Sequence, residues 1–166
     1  MVDEVADFDF HYSFALWAKK SKSEHPELSD TIELVDARHP LLGEKAVPIT
    51  IKLGSDIRVL VLSGANAGGK TVTMKTVALL ATLNQICGFI PARAGSKLPI
   101  FDDFFSDIGD GQSISKQFST FSSHMSNIAR IAKNASEKSL VILDELGSGT
   151  DPEEGASLSI AILGYM

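Results

Sequence analysis

Eight residues in the first half of the chain have the types and spacing to hold a nucleotide. Gly64-Ala65-Asn66-Ala67-Gly68-Gly69-Lys70-Thr71 is a glycine, four residues, then Gly-Lys-Thr, the spacing of a phosphate-binding loop. Glycines at 64, 68 and 69 let the backbone curl so that successive N–H groups point inward. A helix opening at the loop adds its N-terminal N–H groups and the positive end of its dipole. Lys70 is then placed for the β- and γ-phosphate oxygens, and the Thr71 hydroxyl for Mg²⁺. The plainer alternative is a glycine-rich turn with a stray lysine.

A second constellation lies far downstream, where Leu140-Val141-Ile142-Leu143 runs into Asp144-Glu145. Four apolar residues followed by two acids are a weak signal alone, and a solvated strand end would look the same. Behind a phosphate loop they become specific, because ligands of α/β sheets gather at the carboxyl ends of parallel strands. Asp144 is expected to hold Mg²⁺ through water. Glu145 is expected to orient and polarise the attacking water and accept its proton. The paired acids favour hydrolysis over transfer to a small acceptor. The chain has no Asn-Lys-x-Asp string of the guanine-specific kind, so ATP is the expected nucleotide.

These residues need a scaffold that strands and helices supply. Val59-Leu60-Val61-Leu62 reads as a buried strand entering the loop, with Arg58 to Ser63 as the central strand. Val72, Leu79, Leu83 and Ile86 fall at helical spacing after it. Upstream, residues 1 to about 24 read as a helix with a Phe10, Phe14, Trp17 stripe and a Lys19, Lys20, Lys22 end; the stripe suits packing better than chemistry. Pro26 closes that segment. Thr31 to Val35 reads as a strand leading to Arg38-His39-Pro40, where His39 suits a structural hydrogen bond better than a nucleotide contact. Pro48 to Leu53 alternates as a half-buried strand and, through Gly54-Ser55-Asp56, forms a hairpin with Arg58 to Ser63.

After the loop's helix, Pro99 to Ile108 reads as strand and Gly109-Asp110-Gly111 as a break. Ser119-Thr120 are placed to cap a helix carrying Phe121, Met125, Ile128 and Ala132. A glycine-rich turn, Gly147 to Thr150, leads to Asp151-Pro152-Glu153-Glu154, which opens a last helix with an apolar stripe at Ala156, Ile160 and Leu163.

Composition bounds the rest. A length of 166 residues suits one domain, and 44% hydrophobic with 22% charged residues is an ordinary globular balance. Cys87 is the single cysteine, which excludes an internal disulfide and reads as a small buried hydrophobe. An acidic N-terminus and the lack of a long apolar run predict neither signal peptide nor membrane span, hence a cytoplasmic protein. A net charge of −6 argues against this segment clamping nucleic acid by itself.

Taken together, the phosphate loop, Ser119-Thr120-Phe121-Ser122-Ser123-His124-Met125 and the run from Asp144 to Gly155 resemble the ATPase domain of MutS proteins. Ser-Ser-His-Met and Gly-Thr-Asp-Pro-Glu-Glu-Gly resemble the MutS-II branch in particular. The resemblance covers roughly residues 31–166. It implies an α/β P-loop fold of the ABC-ATPase type, a mixed sheet flanked by helices, in which two ATPase domains sandwich two nucleotides. By position, Asn66 resembles the family's P-loop asparagine, a γ-phosphate or water contact. Ser119 and Thr120 resemble the signature that touches the nucleotide of the other subunit, although a plain helix cap remains open. Gly147 to Asp151 resembles the loop that signals across the dimer, and Gln112 is either a γ-phosphate neighbour or a solvated loop residue. Ala65 stands where the family commonly has proline, and Ala67 where a larger residue is usual.

The resemblance also implies what should lie outside the chain: the switch-histidine strand of ABC ATPases, the DNA-clamping helices and the Smr-type nuclease domain. Residues 1–30 are then a helical segment leading from a lever or clamp region, and 31–166 an ATPase domain incomplete at its C-terminal edge. The implied activity is Mg-ATP hydrolysis by a homodimer, driving DNA binding, suppression of recombination and ribosome rescue in the whole protein. The implied cofactors are ATP and Mg²⁺, with no membrane partner. A nucleotide-binding and dimerisation module with little turnover is the alternative. A small-molecule kinase is disfavoured because no acceptor-site or lid segment is evident.

Overall fold

The computed structural model describes residues 2–54, 56–64, 68–108 and 117–166, with side chains of 117–120 left aside. The fold is mixed α/β, and it divides into two compact units, Met1–Ile100 and Phe101–Met166.

The first unit opens with α1, Val2–Ser21, acidic in its first turn and basic in its last, as the helix dipole favours. Lys22 ends it in the left-handed region at φ 53°. Four strands follow, β1 (Glu27–Leu28), β2 (Ile32–Ala37), β3 (Ile49–Leu53) and β4 (Lys97–Leu98), in sheet order β1-β4-β2-β3. β1 and β4 are parallel; β2 is antiparallel to both its neighbours. The alternation of β2 buries Ile32, Leu34 and Ala37. A register shift between Leu34 and Ala37 is what keeps the third of these inward: Asp36, at φ 48°, absorbs the extra residue. Glu33 faces Lys52 on one side and Lys97 on the other, at 3.0 and 3.9 Å.

Helix α2, Lys70–Cys87, buries Thr76, Leu80 and Ala81. This is a different stripe from the expected Val72, Leu79, Leu83 and Ile86: Val72 and Ile86 are exposed. The buried threonine explains the rotation. Its hydroxyl donates to the Val72 carbonyl at 2.7 Å, so a polar residue enters the core with its hydrogen bond made. Leu79 and Leu83 instead meet Phe14, Trp17, Pro40 and Leu41 around an apolar groove of about 260 Å³. The aromatic stripe of α1 is therefore packing, with the Phe10 and Phe14 rings edge-to-face at 4.7 Å.

A second correction concerns the segment entering the phosphate loop. Residues 58–63 form no strand and belong to neither sheet of the described residues. Val59, Leu60 and Val61 are exposed. The expected hairpin is likewise not formed: β3 pairs with β2 and is the last strand of its sheet. Only Gly54 and Ile57 remain as an isolated bridge at the turn.

The second unit is built on two parallel strands, β5 (Asp103–Asp107) and β6 (Ser139–Leu143), in register from Asp103 opposite Ser139 to Asp107 opposite Leu143. Helix α3, Gln117–Asn134, buries Ile128 and Ile131. Leu140 and Ile142 of β6 are buried in the same unit. Helix α4, Pro152–Tyr165, starts as its sequence predicts. The Asp151 side chain accepts the Glu153 N–H at 2.9 Å, and Pro152 takes the first turn. Its expected apolar stripe does not hold. Ile160 is 73% exposed, and the fully buried residue of α4 is Gly155.

Candidate functional site

The phosphate-loop side belongs to the first unit. Gly64 adopts φ 143° and Gly69 φ 77°, backbone conformations that side-chain-bearing residues rarely take. Gly69 is also the residue preceding α2, and it brings no side chain to cap that helix. Lys70 and Thr71 are the first two residues of α2. The Lys70 ammonium folds back to donate to the Gly64 carbonyl, so the cation stands over the loop's own backbone. Gly64, the start of α2 and the Lys70 ammonium thus meet at the loop. Ala65, Asn66 and Ala67 lie outside the described residues.

The acid side belongs to the second unit. Asp144 follows β6 directly, and its N–H donates to the Asp107 carbonyl at 2.9 Å, carrying the parallel ladder one residue past the strand. Glu145 sits at φ 52°, costing about 1 kcal/mol or more for a residue other than glycine. Its N–H donates to Asp144 Oδ1 at 3.1 Å, and its carbonyl accepts the Ser148 N–H at 2.9 Å. The chain thus turns sharply at the two acids and leaves Glu145 exposed.

The turn beyond the acids is held tightly. Gly147, at φ 81°, lies against Gly155 of α4, where a Cβ would come within 2.3 Å of the opposing carbonyl oxygen. Ser159 donates to the Leu146 and Gly155 carbonyls at 2.9 and 2.7 Å. Two glycines at a close approach were invisible as a pair in the sequence, because eight positions separate them and only one falls in the turn.

Ser119 and Thr120 lie within the first turn of α3, two residues inside its start at Gln117, not before it as the capping expectation had it. Gln112 lies outside the described residues. His39 Nδ1 accepts the Leu41 N–H at 3.3 Å, a local turn contact. Cys87 is half-buried, its thiol directed to the Leu83 carbonyl at 3.3 Å.

One cluster was not anticipated. Asp107 at the end of β5 takes His124 Nδ1 on one carboxylate oxygen and Asn127 Nδ2 on the other, both at 2.7 Å. Arg130 donates to Asn127 Oδ1 at 2.7 Å. The signal available in the sequence was the spacing of His124 and Asn127, three apart and so on one helical face.

The donor types suit a magnesium nucleotide. Mg²⁺ takes hard oxygen ligands, few of them from protein and the rest from phosphate and water. Thr71 offers a hydroxyl and Asp144 a carboxylate. Among the described residues no group of three or more His, Cys, Asp or Glu could hold a metal ion.

Comparison with known proteins gives this geometry its context. The family model described as MutS domain V matches residues 60–166. This chain belongs to the MutS family. It is 53% identical over 165 residues to the protein named Endonuclease MutS2 of Caldicellulosiruptor bescii, covering 98% of this chain and 21% of that one. It is 50% identical over 165 residues to Endonuclease MutS2 of a Geobacillus species, covering 98% and 21%. The namesake of Lactobacillus helveticus is 46% identical over 169 residues, covering 100% and 22%. The chain therefore spans about one fifth of the length of these curated relatives. The matched MutS domain V holds the phosphate loop, α3 and the acid pair together in one family segment. No helix among the described residues is long and apolar enough to cross a membrane.

Proposed function

We propose that this chain is the Mg-ATP-binding and hydrolysing part of a MutS2-type protein, with a P-loop fold of the ABC type. The observation that carries the reading is the convergence at Gly64, Gly69 and Lys70 of left-handed glycines, a helix start and a lysine ammonium. In this reading the backbone from Gly64 to Thr71, with Asn66 among its residues, cradles the phosphates, and Lys70 neutralises charge on the transferred group. Thr71 and Asp144 hold the magnesium ion, which supplies charge neutralisation at the phosphates when bound. Glu145 orients a water and takes its proton. Its exposed place after a strained turn supports that role, since strain collects at working residues.

Ser119 and Thr120 contact the nucleotide of a second copy, making the working unit a homodimer. Residues 31–166 form the ATPase domain and residues 1–30 lead into it. In the whole protein the cycle serves DNA binding in the cytoplasm, with suppression of recombination and ribosome rescue as its settings; the relatives' name, endonuclease, an activity on nucleic acid, supports the DNA part. The net charge of −6 supports placing the DNA contact outside this segment.

The test is a pair of variants. Lys70→Ala should weaken Mg-ATP binding by at least about a hundredfold. Glu145→Gln should bind Mg-ATP as before and lose turnover by a similar factor. Tight binding by the first variant removes the phosphate-loop assignment, and unchanged turnover by the second removes Glu145 from the chemistry. Specific activity that rises with protein concentration supports the dimer. Nucleotide binding without turnover at any concentration would instead leave a binding and dimerisation module.

A further inference from the structure

Asp107 has no role in the chemistry proposed above, yet both its backbone carbonyl and its carboxylate are engaged. Its backbone carbonyl receives the Asp144 N–H at 2.9 Å. Its carboxylate oxygens are both taken by α3, by His124 and by Asn127 at 2.7 Å each. The Asp107 side chain is 11% exposed, against 35% for His124. A carboxylate this withdrawn from water depends on its partners, because losing one leaves charge desolvated and unpaired. A contact so placed is worth more than a solvated surface pair.

The other end of the same assembly is also fixed. A Cβ at Gly149, four residues past Glu145, would lie 3.6 Å from the Phe121 side chain. Helix α3 thus holds the end of β5 through His124 and Asn127, and its Phe121 faces Gly149 beyond the acids. Thr120 precedes His124 by four positions, one helical turn. The first turn of α3 therefore lies one helical turn from the residue that holds the Asp107 carboxylate.

We propose that Asp107 is a positioning residue: through His124 and Asn127 it locks the tip bearing Asp144 and Glu145 to α3, so that engagement of the first turn of α3 is felt at the acids. The proposal rests on reading Asp144 and Glu145 as the hydrolytic acids. It assigns His124 a mechanical task, donating from Nδ1 to the Asp107 carboxylate to hold the helix in register, and Arg130 the task of orienting the Asn127 amide.

The experiment compares Asp107→Ala, His124→Ala and His124→Asn in the intact protein, reading kcat and Mg-ATP affinity separately. Asp107→Ala should lower kcat at least about tenfold with Mg-ATP affinity within about twofold of the starting protein. His124→Ala should do the same to a smaller extent. His124→Asn should recover most of the loss, because the asparagine amide nitrogen can stand near the place of Nδ1. The rise of specific activity with protein concentration should flatten in both alanine variants.

Should Asp107→Ala fail to fold, the half-exposed His124 carries the test with its asparagine rescue. A folded His124→Ala protein with unchanged kcat overturns the proposal. So does an asparagine variant no better than the alanine one, or a parallel loss of kcat and affinity. Lys70→Ala runs alongside. If turnover survives Lys70→Ala, the ATPase reading falls and takes this proposal with it. If Lys70→Ala abolishes turnover and His124→Ala does not touch it, only the positioning role falls.

Discussion

Val59-Leu60-Val61-Leu62 and Leu140-Val141-Ile142-Leu143 are nearly the same word written twice. Both are short, apolar and rich in branched side chains, and both lead into residues with chemistry. In the second unit the run becomes β6, paired along its length with β5 and alternating buried and half-buried. In the first unit the run belongs to neither sheet of the described residues, and Val61 is 68% exposed. β-propensity describes how well a side chain fits a pleated, half-buried surface; it does not supply the neighbouring strand. β5 lies beside β6 as its partner, whereas β3, the expected hairpin partner of 58–63, pairs only with β2 among the described strands and ends the sheet there.

The comparison can be broken most sharply by shortening one side chain in each run. Ile142→Ala should destabilise the protein by about 3 kcal/mol, since it empties a buried site, while Val61→Ala should change stability by less than about 0.5 kcal/mol. Denaturant midpoints of the two variants decide it. Comparable losses would mean that the 58–63 run is buried in a strand after all.

The loops beyond the two runs differ in the same sense. Gly155→Ala gains about 1 kcal/mol of helix propensity. It also drives a Cβ to 2.3 Å from the Gly147 carbonyl oxygen, an overlap of backbone that costs about 1–3 kcal/mol. The clash should win, lowering stability by up to about 2 kcal/mol. A stabilised Gly155→Ala protein would show that the approach of the two glycines is looser than described. At Gly64 a Cβ would meet nothing within 4 Å, so Gly64→Ala bears only the cost of its φ of 143°.

Asp151→Ala removes the cap on α4 and should cost about 1 kcal/mol, read as a lower melting temperature. Asp151→Asn should keep most of it. A full loss in the asparagine variant would assign Asp151 a task other than capping.

The smallest effect belongs to the first sheet. The Lys52 hydrogen bond, with the charges of Lys52 and Lys97, holds the Glu33 carboxyl below its ordinary value of 4.5. A depressed carboxylate contributes stability above the unfolded value and loses it as pH falls through the folded one. The contribution is therefore present at neutral pH and fades below about pH 4.5. Salt should shrink it, because the pair is solvent-accessible. Glu33→Gln should flatten this part of the acid limb of a stability-versus-pH curve; an unchanged limb would assign it to other carboxylates.

The local geometry of the candidate site could be read directly from residue types. The positive φ at Gly64 and Gly69 and the helix start at Lys70 were legible because their backbone requirements are local. Asp151-Pro152 was legible for the same reason: a cap and a first-turn proline act within four residues. Thr76, Gly155 and Asp107 were not. A threonine enters the core only when its hydroxyl finds a carbonyl, a glycine inside a helix matters only when another backbone comes close, and an aspartate anchors a helix only when that helix lies over it.

The sequence by itself determined the local chemistry: a glycine loop curled before a lysine, a β-branched run ending in two acids, and caps that start helices where they stand. Tertiary structure decided which of two like runs became a strand, which face of α2 and of α4 turned inward, and that Asp107 joins β6 to α3. Those outcomes depend on partners distant in sequence, and a burial pattern or a hydrogen bond exists only once both partners are in place.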